Sequence, residues 1–302
     1  MTAEAGSGDR MEFASEGGAG GQPSAAADCT AMWWALVRAA HIGPCLAVTA
    51  IATALAVAAG RGPGSAWVSA AVLAGQFSVG WGNDWLDAER DRAAGRADKP
   101  VVAGEIDESL LARAAALALT VCAALSLTSG ARAAAVHLVA VALGWAYNLG
   151  LKRTPASVLP YAGAFALLPV FVALGLPGHP LPPAWLIGAA GLLGAAVHFP
   201  NALPDLAADA VTGVRGLPQR LGARRSLVAA SVLLAAAGLA VVAGPTAPPG
   251  AAVLVAVGVG LAAAVGMVWT ALRGRPRAAF RLSMGAAGAF TAAFVASGAR
   301  LG

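Results

Sequence analysis

Asn83-Asp84-Trp85-Leu86-Asp87-Ala88-Glu89-Arg90-Asp91 reads N-D-x-x-D-x-x-x-D, and residues 201–209 echo it as N-x-x-x-D-x-x-x-D. Adding 118 to Asn83, Asp87, Asp91 and Gly95 gives Asn201, Asp205, Asp209 and Gly213. The same shift carries Pro100 and Gly104 onto Pro218 and Gly222. The chain holds 15 acids: five in the first 28 residues, eight between Asp84 and Glu108, and then only Asp205 and Asp209. Acids so confined in an apolar chain require a reason.

The 302 residues are 58% hydrophobic and 12% charged, with a mean hydropathy of +0.72. A domain in water carries about 25% charged residues, so this composition indicates a polytopic membrane protein. A net charge of +5 could suggest nucleic acid as a partner, but no basic helix interleaved with aromatics accompanies it. Cys29, Cys45 and Cys122 form no C-x-x-C pair and no metal-ligand spacing, so they read as small packed residues. Residues 1–31 are rich in Gly, Ala, Ser and acids and lack a basic segment followed by an apolar run. They read as a disordered cytoplasmic tail rather than a signal peptide.

Apolar spans of about 20 residues, the length a bilayer core demands, recur through the rest of the chain. They predict nine transmembrane helices near 33–59, 67–88, 107–128, 131–150, 155–175, 184–204, 225–244, 250–272 and 278–299, making residues 32–302 one all-α domain. The connections after the even-numbered spans, taken with the N-terminus, hold 17 of the 20 Lys and Arg residues; Arg61, Arg132 and Arg300 are left for the other side. Positive charge faces the cytoplasm, so this side and the N-terminus are expected to be cytoplasmic. Both acidic stretches then fall on the cytoplasmic face. Four spans separate them, so the 118-residue shift reads as two parallel four-helix repeats followed by a ninth helix.

Residues four apart share one helix face. Asn83, Asp87 and Asp91 therefore form one ladder, with Asp84 beside it, and Asn201, Asp205 and Asp209 form a second. Carboxylates near membrane depth are costly and like charges at this spacing repel, unless a cation lies between them. Ligands that offer only oxygen suit Mg²⁺, which makes these seven residues the candidate metal ligands, with Asp87, Asp205 and Asp209 the expected catalytic acids. A competing reading pairs the acids with Arg90, Arg92, Arg96 and Arg215 in a solvated loop, but it leaves the matched second copy unexplained.

Basic side chains complete a site for phosphate. Candidates for a diphosphate are Arg38, Lys99, Tyr147, Lys152, Arg153 and Arg220, with Lys152 foremost; Arg273, Arg275, Arg277 and Arg281 read as topology signals. A metal held by carboxylates beside cations, at the mouth of a membrane bundle, suits a lipid diphosphate whose hydrocarbon tail runs between the helices. Loss of diphosphate from an allylic carbon leaves a cation that aromatic faces stabilise. Trp81, Trp145, Tyr161, Phe165, His198 and Phe199 are the candidate cavity walls, and Pro200 and Pro204 interrupt the sixth span where irregular backbone can line a cavity.

The two aspartate-rich stretches, the run through Gly213, Leu217-Pro218, Arg220 and Leu221-Gly222, and the element from Tyr147 to Lys152 together resemble the UbiA superfamily of intramembrane prenyltransferases over residues 33–299. The resemblance implies a nine-helix horseshoe around a central cavity in the cell membrane and two Mg²⁺ ions holding an isoprenyl diphosphate under a cytosolic cap. It also implies transfer of the prenyl group to an acceptor, usually an aromatic quinone precursor. Ala202, where an acid often follows the Asn, and Pro204 depart from that pattern. Two alternatives stay open: a cyclase that ionises the same donor without an acceptor, and a cation transporter, which would place acids deeper in the membrane.

Overall fold

The computed structural model describes residues 25–246 and 248–296, and among these every regular element is a helix. The α-helices are α1 (Ala25–Ala39), α2 (Ile42–Ala58), α3 (Gly64–Ala93), α4 (Glu108–Leu127), α5 (Ala131–Leu149), α6 (Leu159–Leu174), α7 (Ala184–Ala202), α8 (Leu206–Val211), α9 (Leu217–Ala243), α10 (Ala251–Leu272) and α11 (Pro276–Ala296). Short 3₁₀ turns at Leu151–Arg153, Pro155–Val158 and Leu203–Asp205 join α5 to α6 and α7 to α8.

Ala- and Leu-rich runs favour these helices, and prolines at or next to their first turns fix where several begin. Five helical segments are long and apolar enough to cross a bilayer, or six when the bent α1–α2 pair counts as one span. The segment α3 is longer than most of them, but it carries the first acidic stretch; α5 and α11 also hold polar and charged residues. Large apolar side chains such as Leu117, Val139, Leu239, Val255 and Val265 point outward, a surface suited to lipid rather than water. The protein is an integral membrane protein built from helices.

Neighbours in sequence pack in series from α2 to α7, α7 packs on α9, and α9 on α10 and α11. Helix α11 returns to lie against α2 and α7, so the helices surround a common interior.

Three local features depart from the sequence expectations. The expected span at 33–59 is two helices bent by 66°, with His41 between them in the left-handed region (φ 54°, ψ 54°). Gly80 of α3 lies beneath this corner: a Cβ there would stand 2.5 Å from the Ala40 carbonyl oxygen, so glycine alone admits the corner this close to α3. The helix expected to follow a tail ending at residue 31 begins instead at Ala25; residues 1–24 lie outside the described residues. The second ladder is not one straight helix. Pro204 has no N–H to continue the ladder, and the chain passes through a 3₁₀ turn before α8.

The two acidic helices nonetheless end alike. Gly95 and Gly213 take left-handed backbone at φ 66° and 74°. The amide of the next residue then donates back to the last aspartate, Arg96 to the Asp91 carbonyl at 2.9 Å and Val214 to the Asp209 carbonyl at 3.0 Å. This six-to-one bond closes a helix C-terminus, and the left-handed glycine is what permits it. The matched glycines in the two stretches therefore perform the same backbone task.

Candidate active site

Residues from both acidic stretches line one cavity of about 290 Å³. Its mouth holds Asp87 and Asp91 of α3, Asp205 from the 3₁₀ turn, and Asp209 of α8. Four cations share that lining: Arg90, Arg96, Lys99 and Lys152. Formal charge is balanced there, four against four, and each carboxylate has a positive neighbour.

The central pair is buried. Lys152 donates to both carboxylate oxygens of Asp87, at 2.6 and 2.5 Å, with side-chain exposures of 5% and 3%. Lys152 reaches this point because α5 ends at Gly150 and a single 3₁₀ turn folds the chain back under the mouth. Burial pushes its ammonium pKa down, and Asp87 acts against that. Asp87 also receives Arg90 at 2.8 Å and the Asn83 amide at 3.3 Å, one turn away on the same helix. Asn83 is held in turn by Asn148 of α5, whose side-chain oxygen accepts from it at 3.1 Å and whose amide donates to the Val79 carbonyl at 2.8 Å.

Two arginines connect the acidic stretches. Arg90 stands 3.6 Å from Asp91 and 3.8 Å from Asp209. Arg96, in the turn after α3, donates to Asp205 at 2.8 Å while gripping Asp98 through two nitrogens at 2.9 and 3.0 Å. That fork holds the Asp98 carboxyl below its ordinary pKa and raises the guanidinium's. Gln219 completes the second stretch, donating to Asp209 at 2.7 Å.

Tyr147 and Tyr161 line the cavity below the mouth, edge to face with ring centroids 5.2 Å apart. Asn201 donates to the Tyr161 hydroxyl at 2.7 Å. Ser157 ties three segments together at this level: its hydroxyl meets His198 Nε2 at 3.1 Å and accepts the Leu217 amide at 2.9 Å. Deeper, the walls are mostly apolar, including Val48, Val72, Val141, Phe165, Leu168 and Val197, with Gln76 and His137 among them.

Of the residues singled out in the sequence, Asn83, Asp87, Asp91, Asn201, Asp205, Asp209, Lys99, Tyr147, Lys152, Tyr161 and Phe165 meet at this cavity. The others do not line it. Asp84 is 1% exposed, held by Lys99 at 2.6 Å and His41 at 2.9 Å, which face the cavity in its place. Arg38 pairs with Glu105 on the exposed side of the α3–α4 connection. Arg153 and Arg220 are exposed, and Arg220 bonds the Arg215 carbonyl at 2.8 Å. Trp81 donates to the Leu36 carbonyl at 2.9 Å and Trp145 to Ser78 at 3.1 Å, so both serve packing between helices. His198 and Phe199 are buried; His198 stands behind Tyr147 and Tyr161 with ring centroids 5.8 and 4.9 Å away.

Sequence reasoning missed His41, Gln76, His137, Asn148 and Gln219 at the lining and gave Arg90 and Arg96 only a solvated role. Gln76 carried a usable signal, since it lies two turns before Asn83 on one face of α3. For His41 the one signal was Gly43-Pro44 just after it, which marks the α1–α2 bend on which its place depends.

Whether a divalent cation fits can be judged from the donors. Carboxylate and amide oxygens suit Mg²⁺, and Asn83, Asp87, Asp91, Asn201, Asp205 and Asp209 bring such oxygens to the lining. Among the described residues no three acid, His or Cys side chains are gathered closely enough to form a ready metal centre. The acids are spaced around the mouth and held by Lys and Arg. Such spacing suits an ion that keeps several waters and binds through few carboxylates plus phosphate oxygens, as Mg²⁺ does.

The fold and this mouth define a helical membrane protein with paired acidic stretches over an apolar cavity. The UbiA prenyltransferase family profile matches residues 44–295, and the chain belongs to that family. No curated protein sequence matches the chain. Among solved structures, a UbiA homologue from Aeropyrum pernix K1 in its apo form is 19% identical, with a TM-score of 0.69 over 84% of this chain and 98% of that one. A UbiA homologue from Archaeoglobus fulgidus bound to GPP and Mg²⁺ is 18% identical, with a TM-score of 0.64 over 87% and 99%. A digeranylgeranylglyceryl phosphate synthase is 18% identical, with a TM-score of 0.60 over 88% and 98%. At these identities the likeness speaks for the fold.

Proposed function

We propose that this protein transfers a prenyl group from an isoprenyl diphosphate to an acceptor, with release of diphosphate. The observation that carries the reading is the single cavity: carboxylates and cations from both acidic stretches at its mouth, aromatic faces below them, and apolar walls beneath. A diphosphate fits the mouth, and a hydrocarbon tail fits the walls. The family, and the GPP and Mg²⁺ bound by the Archaeoglobus fulgidus homologue, support it.

Asn83, Asp87 and Asp91, with Asn201, Asp205 and Asp209, would hold Mg²⁺; Asp84 stands behind Lys99 and serves to fix it. Bound Mg²⁺, as two ions in this reading, would neutralise charge developing on the leaving diphosphate. Lys152, Lys99, Arg90 and Arg96 occupy positions from which they can bind the diphosphate's oxygens once the carboxylates turn to the metal. Tyr147 and Tyr161 present ring faces where the allylic carbon loses its leaving group, a favourable setting for positive charge. The buried apolar walls exclude water that would quench it. The acceptor attacks that carbon, which forms one carbon–carbon or carbon–oxygen bond as the carbon–diphosphate bond breaks; an aromatic quinone precursor is the acceptor proposed. An acceptor that attacks through carbon loses a ring proton in the process and one that attacks through oxygen loses its hydroxyl proton, in either case to the released diphosphate or to water.

In the membrane we place nine spans, with α1 and α2 forming one bent span and α7 with α8 another. The N-terminus and the acidic mouth face the cytoplasm at the cell membrane, a placement supported by the distribution of Lys and Arg. Membranes supplied with Mg²⁺, a labelled prenyl diphosphate and a panel of aromatic and lipid-alcohol acceptors test the reading by product identification. A prenylated acceptor is the expected product. A cyclic hydrocarbon formed without acceptor would assign the protein as a cyclase, and cation flux without diphosphate release would assign it as a transporter.

A further inference from the structure

A second cavity of about 40 Å³ lies on the far side of Phe165 and Leu168 from the mouth. Among the described residues, these two alone line both cavities. They sit three apart on α6, on one face, and are 8% and 6% exposed.

The two cavities follow one another along the same helices. On α2 the first is lined by Val48 and the second by Ile51 and Leu55. On α7 the order is Val197 and then Leu193, moving away from Asn201 at the mouth. The second cavity is lined by apolar side chains apart from Thr291, whose hydroxyl already donates to the Ala287 carbonyl at 2.9 Å. A space so lined has no partners to offer water and suits hydrocarbon.

The first cavity, at about 290 Å³, lies at the lower edge of the range for small-molecule sites, about 300 to 1,000 Å³. A diphosphate head at the mouth leaves room beneath it for a short tail only. We propose that Phe165 and Leu168 are the wall that sets donor length, stopping the isoprenoid tail in the first cavity and closing off an apolar continuation behind them. This rests on the prenyl diphosphate reading of the mouth and deepens it: the substrate class becomes allylic diphosphates of few isoprene units.

The test measures diphosphate release from allylic diphosphates of two, three and four isoprene units in the full-length protein with Mg²⁺ and the panel of aromatic and lipid-alcohol acceptors. Wild type favours the shorter donors. In Phe165→Ala/Leu168→Ala the ratio of kcat/KM for the longest donor to that for the shortest rises by on the order of tenfold or more, the scale on which apolar pockets discriminate by size. Adding Ala190→Phe, which fills the second cavity, returns the ratio toward wild type. Phe165→Leu, a milder change, gives a smaller rise and keeps the test intact if the double variant does not fold. An unchanged ratio in a variant that still releases diphosphate from the shortest donor overturns the wall. Wild type that releases diphosphate from no donor overturns instead the reading on which the wall rests.

Discussion

Lys152 Nζ lies 2.6 and 2.5 Å from the two carboxylate oxygens of Asp87, and both side chains are buried. One comes from the 3₁₀ turn after α5 and the other from α3, so the pair pins the α5–α6 connection under the first acidic helix. Removing Lys152 leaves the buried Asp87 carboxylate to Arg90 and the Asn83 amide. Lys152→Met is expected to lower stability by about 1–3 kcal/mol in thermal or chemical unfolding of the purified protein. The double variant Lys152→Met/Asp87→Asn, which removes both charges, recovers much of that loss, while neither variant releases diphosphate at the wild-type rate.

Arg96 joins the two acidic stretches through Asp205, but Asp205 is 45% exposed, so the pair is accessible to water. Arg96→Ala is therefore expected to change stability by less than about 1 kcal/mol. Its effect belongs in binding. Loss of one charge-assisted contact to the diphosphate raises KM by about tenfold with kcat less affected, as steady-state kinetics over a donor titration would show.

His41 holds a left-handed backbone while its ring reaches Asp84 at 2.9 Å. Left-handed backbone costs a residue with a Cβ about 1–2 kcal/mol. His41→Ala keeps that strain and loses the contact; His41→Gly loses the contact and the strain. The glycine variant should accordingly melt above the alanine variant, with both showing a similar fall in activity. Equal melting temperatures would mean that the α1–α2 corner relaxes without cost.

Arg38, Arg153 and Arg220 lie outside the cavity lining, on exposed surface. Each alanine variant is expected to keep kcat/KM for the donor within the effect of a surface ion pair, under about 1 kcal/mol. A larger loss at any of the three would show that it swings into the mouth when the donor binds.

The helices and the site were legible in the sequence to different depths. The all-helical membrane fold follows from apolar runs, and the mouth from the acids at 83–91 and 201–209, because confined carboxylates are rare in such a chain. The repeat also matched Gly95 to Gly213, though it named no task for them, and both close a helix with left-handed backbone. Partners were not legible. Nothing in spacing says that Lys99 would cover Asp84, or that Arg96 would reach 109 residues ahead to Asp205. Aromatics were the weakest inference, since Trp81 and Trp145 share the helices of the site but face their neighbours. Helix phase near a bend decides such cases, and the bend at His41 is marked in the sequence only by the Gly43-Pro44 pair that follows it.

The central claim is that the two acidic stretches act together on a prenyl diphosphate. It is tested by the rate of diphosphate release from geranyl diphosphate with Mg²⁺ and the acceptor panel, compared among wild type, Asp87→Asn and Asp209→Asn, each checked for folding by its melting temperature. Release is expected to fall at least ~10²-fold in both variants, the scale of lost electrostatic stabilisation at a reacting centre, and equally on chelation of the metal. Wild-type rates in either folded variant, or release that persists without the metal, would contradict it.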